Sequence, residues 1–227
     1  MLRNDFEGKT TIYLFFVDKD VDDLRQLIRP SKHLIYTQFY HFENYIFREG
    51  DLVERLASAA SVEVATCKHV LSDLESWRYQ SASKWKDWVK ICLLTQKLNI
   101  RGEANYSKES QIHTDKFGPV DLGLLKEYLE KLKIKSGLTD KQFRAAYKSS
   151  SKTVDDLYSR MDYDLVFKGK WYAKFLEHDM KTISFNRPYQ HNGLAERLTS
   201  TTQTTLDFSG DWTNYFKKTM INLVDRF

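Results

Sequence analysis

Asp18 and Asp20 are the two residues whose types and spacing most directly suggest chemistry. They follow an apolar run at residues 11–17, rich in β-branched and aromatic side chains, that predicts a buried strand. Open α/β sheets place their sites at the carboxyl ends of strands. If the backbone stays extended, both carboxylates point the same way and could bind one divalent cation. Ordinary turn or helix-capping roles are the alternative for both residues.

A second polar group follows a second predicted strand at residues 33–40, and it comprises His41, Glu43 and Asn44. A helix predicted over 22–28 would separate the two strands, so a right-handed crossover and a parallel sheet follow, with both polar groups at one edge. Glu43 is therefore a further candidate metal ligand. A helix cap with structural hydrogen bonds is the alternative for Glu43 and Asn44, and a packed or surface role is favoured for His41.

Two lysines much later in the chain, Lys168 and Lys170, form a third polar group. Carboxylates at neighbouring strand ends suit Mg²⁺ or Mn²⁺, and a lysine such as Lys170 could stabilise the negative charge on a phosphoryl group. The combination predicts hydrolysis of phosphodiesters. A solvated turn is the favoured alternative for both lysines.

Several other kinds of site lack their sequence patterns here. There is no GxxxxGK[ST], GxGxxG, GxSxG, HxxxH or CxxC. Cys67 and Cys92 are therefore predicted to be reduced core thiols rather than a disulfide. The aromatic and basic residues at 77–88 fit either a nucleic-acid surface or a helix that buries its tryptophans, and we favour the buried helix.

Length and charge limit the remaining possibilities. A chain of 227 residues fits one large domain, or one domain with a substantial insertion. Its formal net charge of +4 is compatible with a phosphate-rich partner without requiring one. No stretch approaches the ~20 apolar residues of a membrane span. Residues 1–10 are too polar for a signal peptide. The two cysteines predicted to be reduced indicate a cytoplasmic protein.

Most of the remaining sequence is predicted to be helical. Helices are predicted from residue 51, over 61–75, 83–98, 122–133 and 139–147, around 157–161, and over 172–178, 194–206 and 212–224. Residues 99–120 predict a long loop, and the serines at 149–151 a flexible joint. Because two strands make a very small sheet, we expect later β-like runs, or strands preceding Met1, to complete it.

The ordered pair FFVDKDVDD and IYTQFYHFENYIF resembles the TOPRIM fold of the OLD-like nucleases. It is most similar to a branch that includes the effector of the PARIS anti-phage defence system, which has an ABC-type ATPase as its partner. The segment FKGKW at residues 167–171 is similar to the glycine-lysine segment of that family. The resemblance covers residues 11–47 and, more thinly, residues 168–176.

This resemblance implies an α/β fold with a TOPRIM-like small parallel sheet, possibly lacking its first strand, and a large, mainly helical insertion and C-terminal region. The implied division places a TOPRIM-like α/β core at residues 1–60 and a helical region at 61–162. Residues 163–227 would then return to the core and add the C-terminal helices.

The resemblance also implies a nuclease dependent on Mg²⁺ or Mn²⁺, with Asp18, Asp20 and Glu43 as metal ligands and Lys170 as an electrostatic aid. TOPRIM domains carry a further glutamate, followed by a helix, before the Asp-x-Asp strand. Glu7 resembles that glutamate, but only two residues beyond Gly8 separate it from the predicted strand and leave no room for the helix. We therefore expect the catalytic glutamate in a segment preceding Met1.

The function expected on this basis is hydrolysis of RNA, such as tRNA, or of DNA, in anti-phage defence. An ABC-type ATPase is the expected protein partner, and a homodimer is compatible with the sequence. The alternative is a catalytically degenerate TOPRIM module that binds an ATPase or nucleic acid without cutting it.

Overall fold

Two short parallel strands lie at the N-terminal end of a mainly helical chain. The computed structural model describes residues 13–48, 51–103, 108–183, 193–205 and 209–224. Strand β1 is Phe15–Val17 and strand β2 is Leu34–Tyr36; they pair in parallel, with Phe16 opposite Ile35. The predicted α/β class with a helical region is thus confirmed. No third strand joins the sheet within the described ranges, so no later run there completes it as expected, and Tyr163–Leu165 forms a short 3₁₀ helix.

The connection between the strands contains turns where a helix over 22–28 was predicted, so that prediction is wrong. Asp20 and Gln26 adopt left-handed backbone angles, with φ of 51° and 58°. A residue with positive φ cannot continue a right-handed helix. The side chain of Asp23 also accepts a hydrogen bond from the next backbone N–H, of Leu24, a local bond that competes with helix formation.

Ten α-helices lie within the described ranges. They are α1 (Glu43–Ile46), α2 (Leu52–Ala60), α3 (Val64–Val70), α4 (Leu74–Lys84), α5 (Lys86–Lys97), α6 (Leu122–Ser136), α7 (Asp140–Ser159), α8 (Gly169–Ile183), α9 (Leu194–Thr205) and α10 (Asn214–Val224). Side-chain caps begin several of them, as the sequence suggests. Asp51, Asp73 and Asp121 each accept a backbone hydrogen bond at the start of a helix, and Gly137 ends α6 in a left-handed conformation.

Helix α7 runs without interruption through the serines at 149–151, so the predicted flexible joint there is wrong. Ser150 is buried, on the same face as Phe143, Val154 and Leu157. Spacings of three to four residues keep that face against the protein interior. The packed face therefore outweighs the weak helix propensity of serine.

The main hydrophobic core is built from helices and is rich in large aromatic rings. Trp85, Trp88 and Trp171 are almost completely buried, which confirms the predicted buried tryptophan helix. Cys67 and Cys92 are also buried and unbonded, as predicted. One cluster of buried side chains includes residues from all three predicted segments, from Val21 to Leu198.

A second, smaller cluster covers the sheet. Ile35 of β2 and Tyr45 of α1 pack there against Phe216 and Leu223 of α10. The hydroxyl of Tyr215 donates to the carbonyl of Tyr36 at 3.0 Å. The C-terminal helix therefore lies over the strands that precede the acidic residues. None of the helices in the described ranges has both the length and the apolarity needed to cross a membrane.

Candidate functional site

The two chain segments that leave β1 and β2 stay hydrogen-bonded beyond the strands. The backbone N–H of Thr37 donates to Val17 O at 2.9 Å, and the hydroxyl of Thr37 accepts from the N–H of Lys19 at 2.9 Å. The N–H of Asp20 then donates to Tyr40 O at 2.9 Å. These bonds hold residues 18–20 beside residues 37–41, so the polar groups that follow the two strands lie together.

Lys19, between the two acidic residues, is buried rather than solvated. Its ammonium group donates to Gln38 O at 2.8 Å and pairs with Asp23 at 3.0 Å. Asp20, the next residue, has the left-handed φ of 51°. The extended backbone assumed for Asp18 and Asp20 therefore ends between them, and the two carboxylates have different partners.

Asp18, His41 and Glu43 form the one group in the described ranges whose ligand atoms could surround a metal ion. One ligand atom from each lies within 4.8 Å of the others. Asp18 is exposed, Glu43 is half-buried and His41 is buried, so the group opens to solvent through Asp18. Two carboxylates and one imidazole are a common type of donor set for divalent transition metals.

His41 is tied to Asp20 by its outer ring nitrogen. His41 Nε2 lies 2.8 Å from Asp20 Oδ1. Burial opposes ionisation of Asp20, but the hydrogen bond from His41, the charge of His41 and, less strongly, the charge of Lys168 keep its pKa below the ordinary value. When Nε2–H donates to the ionised Asp20 and the ring is neutral, the lone pair of the ring is on Nδ1.

The other ring nitrogen of His41 is buried without a hydrogen-bond partner in the described structure. The His41 side chain is only 9% exposed, and its Nδ1 lies 3.6 Å from Glu43 Oε2. That separation is too long for a hydrogen bond. A buried nitrogen that makes no hydrogen bond and faces a carboxylate is explained either by a protonated ring in an ion pair with Glu43 or by a bound cation between the two.

Glu43 lies in the first turn of helix α1, and a hydrogen bond to Asp18 fixes the position where α1 begins. The backbone N–H of Phe42, the residue before the helix, donates to Asp18 Oδ1 at 2.9 Å. Glu43 follows in the first turn. Asp18 therefore both faces the cluster and helps to position another of its members.

The second carboxylate oxygen of Glu43, the one not facing His41, pairs with Lys170. Lys170 Nζ is 3.4 Å from Glu43 Oε1. Burial and the charge of Lys170 lower the pKa of Lys168, while Asp20 and Glu43 oppose that effect. The described chain offers the Lys168 ammonium group no hydrogen bond or ion pair, so it is available to an anion such as phosphate.

Close backbone contact at Gly169 holds the two lysines in place. The N–H of Gly169 donates to Asn44 Oδ1 at 3.1 Å. A Cβ atom at Gly169 would lie only 2.4 Å from the backbone nitrogen of Asn44, so the start of α8 can approach α1 this closely only with glycine. Asn44 itself is completely buried. Asn44 therefore has a structural hydrogen-bonding role, which was the alternative to a functional role in the sequence analysis.

Asp164 completes the support behind the site, although no pattern in the sequence pointed to it. Its buried carboxylate accepts hydrogen bonds from Asn44 (3.1 Å), Arg48 (2.8 Å) and Tyr172 (2.7 Å), and it pairs closely with Arg78. Asn44, Arg78 and Tyr172 come from α1, α4 and α8, and Arg48 lies in the turn just after α1. No local sequence pattern links an aspartate to an arginine 86 residues away.

The three predicted groups thus come together in the structure, with one change of arrangement. Asp18 and Glu43 share the cluster, Lys170 pairs with Glu43, and Lys168 interacts with Asp20 and Glu43 through its charge, whereas Asp20 contacts His41 rather than the other acids. Glu7 lies outside the described residues. Comparison of the chain with protein-family models, with curated proteins and with solved structures found no match in any of the three.

Proposed function

We propose that this protein is a metal-dependent phosphodiesterase, acting on nucleic acid, whose cation is bound by Asp18, His41 and Glu43. The observation that carries the proposal is the convergence of these three ligand atoms within 4.8 Å at the carboxyl ends of two parallel strands. The buried and unpartnered Nδ1 of His41 gives it independent support.

Asp20 acts in this proposal as a positioning residue rather than a ligand. Metal-binding histidines usually donate their other ring N–H to a carboxylate, which fixes both tautomer and ring orientation. The 2.8 Å contact between His41 Nε2 and Asp20 Oδ1 has that arrangement. This differs from the ligand set expected from the family resemblance, in which Asp20 binds the metal directly.

The donor set favours Mn²⁺ over Mg²⁺. Mg²⁺ prefers oxygen ligands alone, whereas Mn²⁺ accepts one imidazole with two carboxylates more readily. A bound ion of either kind would lower the pKa of a coordinated water and neutralise phosphoryl charge. Lys168 and Lys170 would bind the phosphate oxygens beside Glu43. The nucleic-acid strand would reach the metal from the solvent side, where Asp18 is exposed.

The family and the biological setting rest on the resemblance of residues 11–47. In that view the chain is a TOPRIM/OLD-like nuclease in anti-phage defence, acting on tRNA, other RNA or DNA with an ABC-type ATPase as partner. The parallel sheet followed by acidic residues at its edge is compatible with this proposal and supports the metal site more directly than it supports the family.

Metal titration tests the proposal before any substrate is identified. Mn²⁺ is expected to raise the melting temperature of the protein at lower concentration than Mg²⁺, because a ligand specific to the native state stabilises it. Asp18→Asn and Glu43→Gln should abolish the shift, and cleavage of labelled RNA or DNA should fall with it. Asp156→Asn, which removes an exposed carboxylate on α7, is the matched control.

A non-catalytic interaction module is the second candidate function, and one observation favours it. Each acidic side chain near the cluster already has a protein partner: the Phe42 N–H for Asp18, His41 for Asp20 and Lys170 for Glu43. If neither Mn²⁺ nor Mg²⁺ changes the melting temperature, with every acid intact, this second function replaces the first.

A further inference from the structure

An aromatic cleft lies directly beside the acidic cluster, between the sheet and α10. Its volume is about 520 Å³, within the range of small-ligand sites. Four aromatic residues contribute to its walls: Phe16, Phe42, Trp212 and Phe216. Val17 and Met220 add apolar surface, and the other lining residues are polar or charged: Asp18 and Thr37 after the strands, and Thr213 and Lys217 at and near the start of α10.

The rings of the cleft leave one face open. Phe216 is largely buried and packs against Tyr45, with ring centroids 5.4 Å apart. Phe16 contacts Phe216 at 5.8 Å but remains 56% exposed. A large ring that is more than half exposed in a concave apolar surface would gain free energy from a flat apolar group placed against it.

Two charged residues limit what that group can be. Asp18 lines the cleft and also belongs to the proposed metal site. Lys217 lines it as well, and the described residues provide this exposed lysine with no ion-pair partner. An occupant that complements both has an aromatic part for the rings and a phosphate that a metal at Asp18 and the Lys217 ammonium can bind.

We propose that the cleft binds an unpaired base of a nucleic-acid strand whose phosphate lies at the Asp18–His41–Glu43 cluster. This inference rests on the proposed phosphodiesterase function and specifies its substrate class as single-stranded nucleic acid. A base paired within a duplex has its faces stacked between its neighbours, so it cannot enter the cleft. An aliphatic occupant, such as a side chain of a protein partner, would leave Lys217 without a counter-charge.

Binding of fluorescent oligonucleotides tests the cleft separately from catalysis. Fluorescence anisotropy with the full chain in EDTA would compare a ten-nucleotide single strand with the same strand carrying abasic sites, each as RNA and as DNA. Because stacking of one base on an aromatic side chain contributes substantially to binding, removal of the bases should weaken binding about tenfold. Tighter binding of the RNA strand or of the DNA strand would show whether the natural substrate contains ribose or deoxyribose.

Variants of Phe16 provide the matched comparison. Phe16→Ala should weaken binding of the base-containing strand about tenfold and leave the abasic strand unchanged, since only the stacking surface is lost. Phe16→Tyr keeps the ring and should bind normally. Ile221→Ala removes a 59% exposed apolar side chain from the same helix as Phe216 and should have no effect.

Each outcome decides between the two proposals. Equal binding of base-containing and abasic strands by the unaltered protein would overturn the base site, whatever the Phe16 variants do. Base-dependent binding that persists while Asp18→Asn and Glu43→Gln leave cleavage intact would keep the base site and reject the metal-dependent mechanism. If those variants lose cleavage while the unaltered protein shows no base-dependent binding, the metal-dependent mechanism is kept and the base site is rejected.

Discussion

His41 is the residue on which the interpretation of the site turns. Sequence alone favoured a packed or surface role for it, because a lone histidine beside aromatic residues is common in protein interiors. In the structure it is packed, yet one ring nitrogen contacts Asp20 and the other is unpartnered beside Glu43. In the proposed metal site His41 would therefore be both a packed side chain and a ligand, and its burial would orient the ring.

The role of Asp20 can be tested at this scale. Asp20→Asn should weaken Mn²⁺ binding about 10- to 100-fold, the usual effect of losing a carboxylate that orients a metal-binding histidine. Asp18→Asn, which removes a direct ligand, should abolish binding. Calorimetric titration with Mn²⁺ measures both. If Asp20→Asn abolishes binding as completely as Asp18→Asn, Asp20 is a direct ligand, as the family resemblance implied.

At the scale of elements, the contact between α1 and α8 determines where the lysines lie relative to Glu43. Helix α1 has only four residues, too few to be stable alone. It is held by the buried Asn44, by the Asp164 network and by the backbone of Gly169. The geometry of the site thus depends on helix packing more than on either strand.

Gly169→Ala is expected to destabilise the protein by about 1–3 kcal/mol, the usual cost of overpacking. The added Cβ would lie 2.4 Å from a backbone nitrogen, so a shift of a flexible side chain cannot relieve the clash. Urea unfolding measures the effect. Gly123→Ala is the control, because its Cβ would meet only the Asp121 carboxylate at 3.1 Å. Equal stability of the two variants would contradict this account of Gly169.

At the scale of the whole molecule, buried acids hold connecting segments to the helices. Glu103 is 3% exposed, accepts a hydrogen bond from Tyr128 on α6 at 2.6 Å and pairs with Lys108, Lys131 and Lys135. Burial by itself would raise the pKa of Glu103, but hydrogen bonds from Lys135, Tyr128 and Lys108 lower it from 4.5 to about 2.

The sign of this shift predicts how stability depends on pH. Because folding lowers the pKa of Glu103, its contribution is complete above pH 4.5 and is lost as the pH falls toward 2. Glu103→Gln should cost about 2 kcal/mol near pH 6, and the difference from the unaltered protein should shrink at pH 3. Urea midpoints at both pH values measure it. Glu127→Gln, an exposed change on α6, should show neither effect, and a pH-independent loss for Glu103→Gln would contradict the prediction.

Elements with a strong local pattern could be predicted from sequence. Helices α5, α6 and α10 have apolar residues at helical spacing, and local caps mark the starts of several helices. Helix α4 has no such spacing, and most of it lies outside the predicted helices. The structure at 22–28 and at the serines of α7 could not be predicted from sequence. Left-handed residues in the turns prevent a helix at 22–28, and packing of one face of α7 against the protein interior keeps the serines helical.

The sequence by itself determined that acidic residues follow two apolar runs, because residue type is a local property. The strands within those runs are shorter than predicted, Phe15–Val17 and Leu34–Tyr36, and residues 37–40 are not part of β2. The sequence also supplied Asp18, Glu43, Lys168 and Lys170 as candidates for one site. Only the tertiary structure decided that Asp20 contacts His41, that Gly169 brings the lysines to Glu43 and that an aromatic cleft adjoins Asp18. Each of these depends on contacts between segments far apart in the chain, whose geometry follows from packing of the whole core.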